Sequence, residues 1–575
     1  MSDLNIKDKL VNLLTYQTSK KRTLILTVFL IALYFLFYII IKQVYYSVVK
    51  VGDYTFIKEK YFFAFYCIST LPIFFFLFFK FNICTKFWAN TNEPHLIDFL
   101  FFGVICLYLF LSFNFMDINI TVVHANSLIE MVSRGMNILD FYDYSGAGYL
   151  LPYYILFGIW SIPVKFVYMI MGLKPISNSI NEAIRINGFT LWWYKLLPTL
   201  FYIGSTLVIN KICIQLDFDK NKAKWISFIF FIFPMATFSQ FIFGGYDSIG
   251  VFFELIMIYC FLEKKILKAS LFCMIAITFK TFPIFIFFPI LLLFEKKIWK
   301  IIAYTGIVFS AWLFFNLLFK GGAVGGAVGN SFESGFRDRL LAVGINTYFG
   351  VVSFVLLVFV FSCVFAYFIN IKSKDELTIK KYIMYIPLFV YSSFFSFVLF
   401  HPQWILILAP YLVINIFLNR NNKYMTFVTI GVSIGFLFTV VSSPNYFQVV
   451  DACLINLGMF PKIYGFYNGV DASLINSGVP PSIYGFQGNG EGFKSLNKIV
   501  SFNGLIPYNV YFTLFVSMLF VNLILSFPNE KNILRNKDTI QRPFKIGRDV
   551  VWINGLIILL LTIPSLLLFY SQSPK

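Results

Sequence analysis

Charge is what this sequence has least of. Only 13% of its 575 residues are Asp, Glu, Lys or Arg, against about 25% in a soluble protein. So little charge cannot cover the surface of the roughly four soluble domains that this length suggests. Histidine is scarce, at 3 residues, and the 8 cysteines form no Cys-x-x-Cys pair, which argues against a zinc site or a disulfide framework. Cys67, Cys106, Cys213, Cys260, Cys273 and Cys363 stand inside apolar segments. No small-residue cleavage site follows the first apolar run, so that run reads as a span and not as a cleaved leader.

What is present is apolar. Hydrophobic residues make up 59% and aromatics 21%, with 76 Phe, and the mean hydropathy is +0.78. A disordered chain would not carry so much. The formal net charge of +19 would suggest nucleic acid in a soluble protein. Here Lys and Arg fall in short clusters between apolar runs, which is the positive-inside pattern of membrane proteins, and no nucleic-acid partner is expected. The fold class is an all-α polytopic membrane protein, with membrane lipids as its surroundings.

A crossing needs about 20 apolar residues. Runs of that kind lie at 23–41, 61–79, 97–115, 149–171, 197–215 and 226–243, then at 300–319, 350–369, 382–400, 403–417, 424–441, 506–526 and 550–570. With the shorter runs between 248 and 294 this gives about 13–16 transmembrane or half-membrane helices. Basic clusters at Lys20–Arg22, Lys264–Lys268, Lys296–Lys300, Lys372–Lys381 and Lys531–Arg548 set the cytoplasmic side. The loop Asp219–Lys224 belongs there too, which leaves an odd number of crossings to place after Asp117. Pro152, Pro163 and Pro175 suggest a broken or re-entrant helix between 149 and 196, allowed where protein or a cavity covers it. The chain divides into a tail with two leading helices (1–96), a central module (97–300) and a second transmembrane module (301–575).

The polar groups that orientation does not explain fall on the external side: 116–148, the Gly244–Asp247 turn, 320–349, His401–Trp404 and 442–505. Asp117 stands where a helix leaves the membrane, and its bland reading is a solvated helix-end carboxylate. Beyond it, Val123, Leu128, Met131 and Val132 share one helical face while His124, Ser127, Glu130 and Arg134 share another, a pattern suited to a helix in the interface plane. Asp143 follows in a turn-rich aromatic stretch. The Gly244-Gly245 pair permits unusual backbone angles, and Asp247 after it either caps a helix or binds substrate. Glu254, inside the apolar run, marks a site or pairs with a lysine.

Lys280 lies between two basic clusters too close for two full crossings. Eleven helical residues cover about 16 Å, so the segment reads as a hairpin of two short helices with Lys280 near its apex. A lysine there snorkels to the interface or meets an anion, water or a carboxylate. Arg337 and Arg339 run against the positive-inside trend; they pair with Glu333 and Asp338 or grip a phosphate. His401 and Gln403 sit in a tight turn, where they satisfy backbone groups or bind substrate. The glycine-rich stretch Gly321–Gly329 reads as a flexible linker. Val450–Phe466 recurs as Val470–Phe486, too few copies for a solenoid; it reads as a duplication in a variable loop, or as an aromatic platform for sugar rings.

Phe115-Met116-Asp117, Phe243-Gly244-Gly245-Tyr246-Asp247-Ser248, Phe279-Lys280-Thr281-Phe282-Pro283 and His401-Pro402-Gln403-Trp404, in this order and on one side, resemble the GT-C superfamily of lipid-phosphate-sugar-dependent glycosyltransferases. The bacterial relatives of GPI mannosyltransferases look most similar, over residues 97 to 420. The resemblance implies a GT-C-like bundle in the plasma membrane with an extracytoplasmic active site. It implies transfer of a hexose such as mannose from a polyprenyl-phosphate sugar to a glycan, glycolipid or glycoprotein acceptor, with Asp117 as general base. Lys280, Arg337, Arg339 and His401 are then the candidates for the donor phosphate, and His124, Asp143, Asp247 and Gln403 for substrate. Family members often carry Gly-Gln where this chain has Gly245-Tyr246. No cofactor is required; Asp117 with Asp143 or Asp247 is the arrangement in which a divalent metal would be shared. A transporter or flippase, or a polysaccharide polymerase or ligase, are the alternatives.

Overall fold

The computed structural model describes residues 113–170, 188–242, 244–319, 343–398, 402–419, 422–442, 453–455 and 508–528, with a few further positions near 102–110, 400, 505 and 554–558. The leading helices expected at 23–41 and 61–79, the linker Gly321–Gly329, Arg337, Arg339, His401 and the Lys531–Arg548 cluster lie outside the described residues, as does most of the final helix.

The described chain is overwhelmingly α-helical. Strand β1 (Phe113–Phe115) leads straight into α1 (Met116–Ser133), followed by α2 (Leu151–Ile170) and α3 (Gly188–Gln215). Helices α4 (Lys220–Phe231), α5 (Asp247–Leu262), α6 (Ile266–Phe279), α7 (Ile284–Phe294) and α8 (Ile298–Leu318) form the centre. A hairpin of β2 (Gly344–Thr347) and β3 (Gly350–Ser353) opens α9 (Phe354–Phe368), and α10 (Glu376–Phe397), α11 (Ala409–Leu418), α12 (Asn422–Ser442) and α13 (Tyr508–Ser526) follow. Strand β4 (Cys453–Ile455), from the first copy of the internal repeat, pairs antiparallel with β1, placing Cys453 opposite Phe115.

Three helices among the described residues are long and apolar enough to cross a membrane: Trp192–Gln215 within α3, α8, and Asn509–Ser526 within α13. A fourth is reached if α4 and Pro234–Ile242, bent by 50° at the break between them, count as one span. That bend falls inside the run expected as one helix at 226–243. Within 149–196, α2 is continuous through Pro163 to Ile170, residues 171–187 with Pro175 lie outside the described residues, and α3 begins at Gly188 and carries Pro198 inside it. Proline removes a hydrogen bond to the carbonyl four residues back. For Pro234 that carbonyl is Phe230, and the Tyr202 hydroxyl lies 3.1 Å from it and 3.0 Å from the Phe231 carbonyl. The 28 residues of α3 run about 42 Å, pass Gly244 at Lys195 and end just before Asp217, so this helix is long enough for one of the crossings expected between Asp117 and Asp219.

Ion pairs gather the basic loops at one end of the bundle. Lys380 pairs with Asp217 at 3.0 Å, and Lys264 approaches Glu376 at 4.0 Å. Lys296 donates to the backbone carbonyls of Ala366 and Tyr367 at the end of α9, the first at 3.0 Å. The chain returns to the opposite end before α1, between α4 and α5, between α6 and α7, and before α9. The expected interfacial helix is only partly solvated on its polar face. His124 and Ser127 are buried with Val123 and Leu128, whereas Arg134 is exposed and pairs with Glu130; Tyr154 packs edge-on to His124 at 5.7 Å, and Ser127 donates to the Val123 carbonyl.

Candidate functional site

Asp247 opens α5 just past the Gly244-Gly245 turn, in the first turn of the helix, where a carboxylate is favoured by the exposed backbone N–H groups. It is nevertheless buried, at 3% exposure. Lys280 ends α6 in extended conformation, φ −150° and ψ 136°, and its side chain lies over Gly250 of α5. A Cβ at Gly250 would stand 3.2 Å from the Lys280 Cβ, so only a missing side chain lets the two helices bring these groups together. The Lys280 Nζ reaches the Asp247 Oδ1 at 2.9 Å. Three rings enclose the ammonium: Tyr246 at 4.9 Å, Tyr149 at 5.3 Å and Trp404 at 5.8 Å from centroid to nitrogen. Such faces attract a cation. The Tyr149 and Tyr246 hydroxyls lie 2.6 Å apart.

The charge on Lys280 is thus met by a carboxylate of the protein, one of the partners that the apex position admits. Around the pair stand buried polar groups with no hydrogen bond. The Gln403 side-chain oxygen is one of them, although the Gln403 backbone carbonyl accepts the Ser239 hydroxyl at 2.5 Å. Tyr153 is fully buried, its ring packs edge-on to Tyr246 at 5.1 Å, and its hydroxyl makes no hydrogen bond of ordinary geometry. Buried polar groups are normally satisfied; unmet ones beside an ion pair are what a polar ligand would complete.

Asp117 is the second residue of α1. Its neighbour Ile118 lies 3.2 Å from where a Gly244 Cβ would be, so the start of α1 abuts the Gly-Gly turn. His124 is buried with its Nδ1 unpartnered; burial holds its imidazole below the ordinary pKa, and a hydrogen bond to the Ser145 backbone works the other way. Asp143, in contrast, is exposed on the single helical turn Phe141–Ser145. The structure therefore gathers Asp247, Lys280 and Gln403 with the start of α1. No group of three or more His, Cys, Asp or Glu side chains suited to a metal occurs among the described residues.

One residue escaped the sequence reading, as did the partners of another. Lys195, at 1% exposure, donates to the backbone carbonyls of Phe241 at 2.7 Å and Phe110 at 3.0 Å. It thereby pins the segment ahead of Asp117 to the turn ahead of Asp247. Its signal was available, a lone lysine in the apolar run Trp192–Leu197, as informative as Lys280. Deeper in the bundle, Glu254 accepts the hydroxyls of Tyr391 at 2.7 Å and Tyr411 at 2.5 Å. Its partners are tyrosines, where the sequence suggested a lysine.

No family model, no curated protein and no solved structure matches this chain.

Proposed function

We propose that the chain is a multi-pass membrane glycosyltransferase. In this reading it moves a hexose from a polyprenyl-phosphate sugar to a glycan, glycolipid or glycoprotein acceptor on the extracytoplasmic face of the plasma membrane. The observation that carries it is the meeting of four separate segments around the Lys280–Asp247 pair, with Tyr149, Tyr246 and Trp404 as aromatic faces and the Tyr153 and Gln403 groups unmet. Sugar rings present an apolar face to aromatics and hydroxyls to polar side chains. A leaving phosphate needs a cation.

The reaction in this reading has two coupled parts. An acceptor oxygen bonds to the anomeric carbon as the carbon–oxygen bond to phosphate breaks, and the acceptor proton passes to Asp117. Lys280 takes the growing charge on the phosphate by turning from Asp247 toward it. The basic loops at the far end of the bundle support an extracytoplasmic site through the positive-inside trend.

The test is donor turnover by the purified protein in lipid nanodiscs, across a panel of polyprenyl-phosphate hexoses. Sugar transfer that disappears in Asp117→Ala, with normal membrane insertion, is the expected result. Transfer retained in that variant sinks the role of Asp117. Turnover of no donor sinks the enzyme reading, and transport of a lipid-linked glycan in the same nanodiscs would replace it. Glu254, a carboxylate well inside the bundle, is the observation that favours transport.

A further inference from the structure

The geometry points to the β2–β3 hairpin as an interfacial anchor, a ribbon that lies in the headgroup layer of the bilayer with Tyr348 and Phe349 at its tip. Both tip residues are 97% exposed. Along the two strands Ile345, Val351 and Val352 are exposed as well, so neither face of the ribbon is covered by the described protein. The sequence holds no charged residue between Arg339 and Lys372. A two-stranded ribbon of this composition is poorly suited to water.

Length and continuity identify what covers it. Helix α9 follows β3 without a break, and its exposed residues are Leu356, Leu357, Val360, Phe361, Val364, Tyr367 and Phe368, an apolar band continuous with the ribbon. The lower end of α9 is fixed at the basic end by Lys296, through the carbonyls of Ala366 and Tyr367. From there its 15 residues climb only about 22 Å, short of a hydrocarbon core of about 30 Å. The four residues of β3 extend up to about 13 Å further; the residue next to α9, Ser353, is buried in protein where the ribbon leaves the core, and the others carry the tip into the headgroup layer at the far boundary. The ribbon cannot lie deeper, because its open strand edges need water or headgroups to hydrogen-bond. Tyrosine with phenylalanine at that level matches the aromatic enrichment of membrane interfaces. The partner is therefore a phospholipid surface.

The experiment places the photoreactive benzoylphenylalanine at position 349 of the full-length chain, in nanodiscs of phosphatidylethanolamine and phosphatidylglycerol, with position 361 on α9 as the lipid-facing reference. Illumination is expected to give adducts bearing the mass of an intact phospholipid, in yield within about twofold of position 361. Fragmentation is expected to place the bond near the headgroup end of the acyl chain. Adducts at mid-chain carbons, crosslinks to a second copy of the chain, or no adduct at position 349 while 361 reacts would each overturn the assignment. Tyr348, at the same tip, is the second position, and it must give the same result.

Discussion

The Lys280 ammonium lies 2.9 Å from the Asp247 carboxylate, with both groups withdrawn from solvent. Each neutralises the other at a depth where neither is stable alone. Lys280→Met leaves a buried carboxylate unpaired, and Asp247→Asn leaves a buried ammonium beside its three rings. Breaking one side of such a pair costs about 3–5 kcal/mol. The double variant Asp247→Asn/Lys280→Met is expected to recover most of the thermal midpoint lost by Lys280→Met, while sugar transfer stays absent in both. A double variant no more stable than Lys280→Met would show that the two groups are not coupled.

Glu254 ties three helices together, α5 through its own backbone, α10 through Tyr391 and α11 through Tyr411. A buried hydrogen bond contributes about 0.5–1.5 kcal/mol net, and stranding its buried partner costs about 1–3 kcal/mol. Tyr391→Phe and Tyr411→Phe are each expected to lower the thermal midpoint, and their combination to lose more than the sum, because it strands the carboxylate. Thermal unfolding of the detergent-solubilised variants, followed by size-exclusion profile, measures this. Additive losses would mean that Glu254 has other support.

The charges were the legible part of the chain, and their pairing was not. Lys280, Asp247 and Glu254 stand out because each interrupts an apolar run. Which of them meet depends on helix register, and so the sequence suggested a phosphate for Lys280 where Asp247 is the neighbour. Lys195 escaped because its partners are backbone carbonyls, which carry no sequence mark. Tyr153 is one of 34 tyrosines and nothing in composition distinguishes it. Prolines mark possible breaks without saying which will occur. Pro198 stays within α3, its own carbonyl accepting the Ser248 hydroxyl at 2.7 Å, whereas the chain bends at Pro234. The ion pairs Lys380–Asp217 and Lys264–Glu376 bring three of the expected cytoplasmic loops together, which fits a grouping read from the positive-inside trend.

Asp375 sets the start of α10 at the basic end. Its side chain accepts the Thr378 amide at 3.1 Å and the Thr378 hydroxyl at 2.6 Å. Partial burial works to raise its pKa, but these hydrogen bonds and the charge of Lys381 outweigh that and hold it below the ordinary aspartate value of 3.8. A carboxyl lowered in the folded state stabilises above its unfolded pKa, and this contribution fades as pH falls through the folded value. Asp375→Ala is therefore expected to cost about 1 kcal/mol at neutral pH, the usual loss of an N-cap, and progressively less below about pH 3.8. Thermal unfolding of the two proteins at pH 7 and pH 3 measures the difference; a gap that persists at pH 3 would assign it to lost packing instead.

Lys195 and Gly244 restrict each other at the candidate site. Gly244 has φ +68°, and a Cβ there would lie 3.0 Å from the Lys195 Cε and 3.2 Å from Ile118. The Lys195 side chain thus fills the space that a side chain at 244 would need, while its ammonium holds the Phe110 and Phe241 carbonyls. Lys195→Met removes the donor and leaves buried carbonyls unmet, at about 1–3 kcal/mol each. Gly244→Ala adds the strain of a left-handed backbone, about 1–2 kcal/mol, to the steric clash. Both variants are expected to lower the thermal midpoint, and both to reduce sugar transfer at least tenfold, because they loosen the start of α1 from the Gly-Gly turn. Lys195→Arg is not expected to rescue, since the guanidinium is too broad for the space beside Gly244. Unchanged transfer in Lys195→Met would mean that the Asp117 segment is positioned by other contacts, and that this lysine serves stability alone.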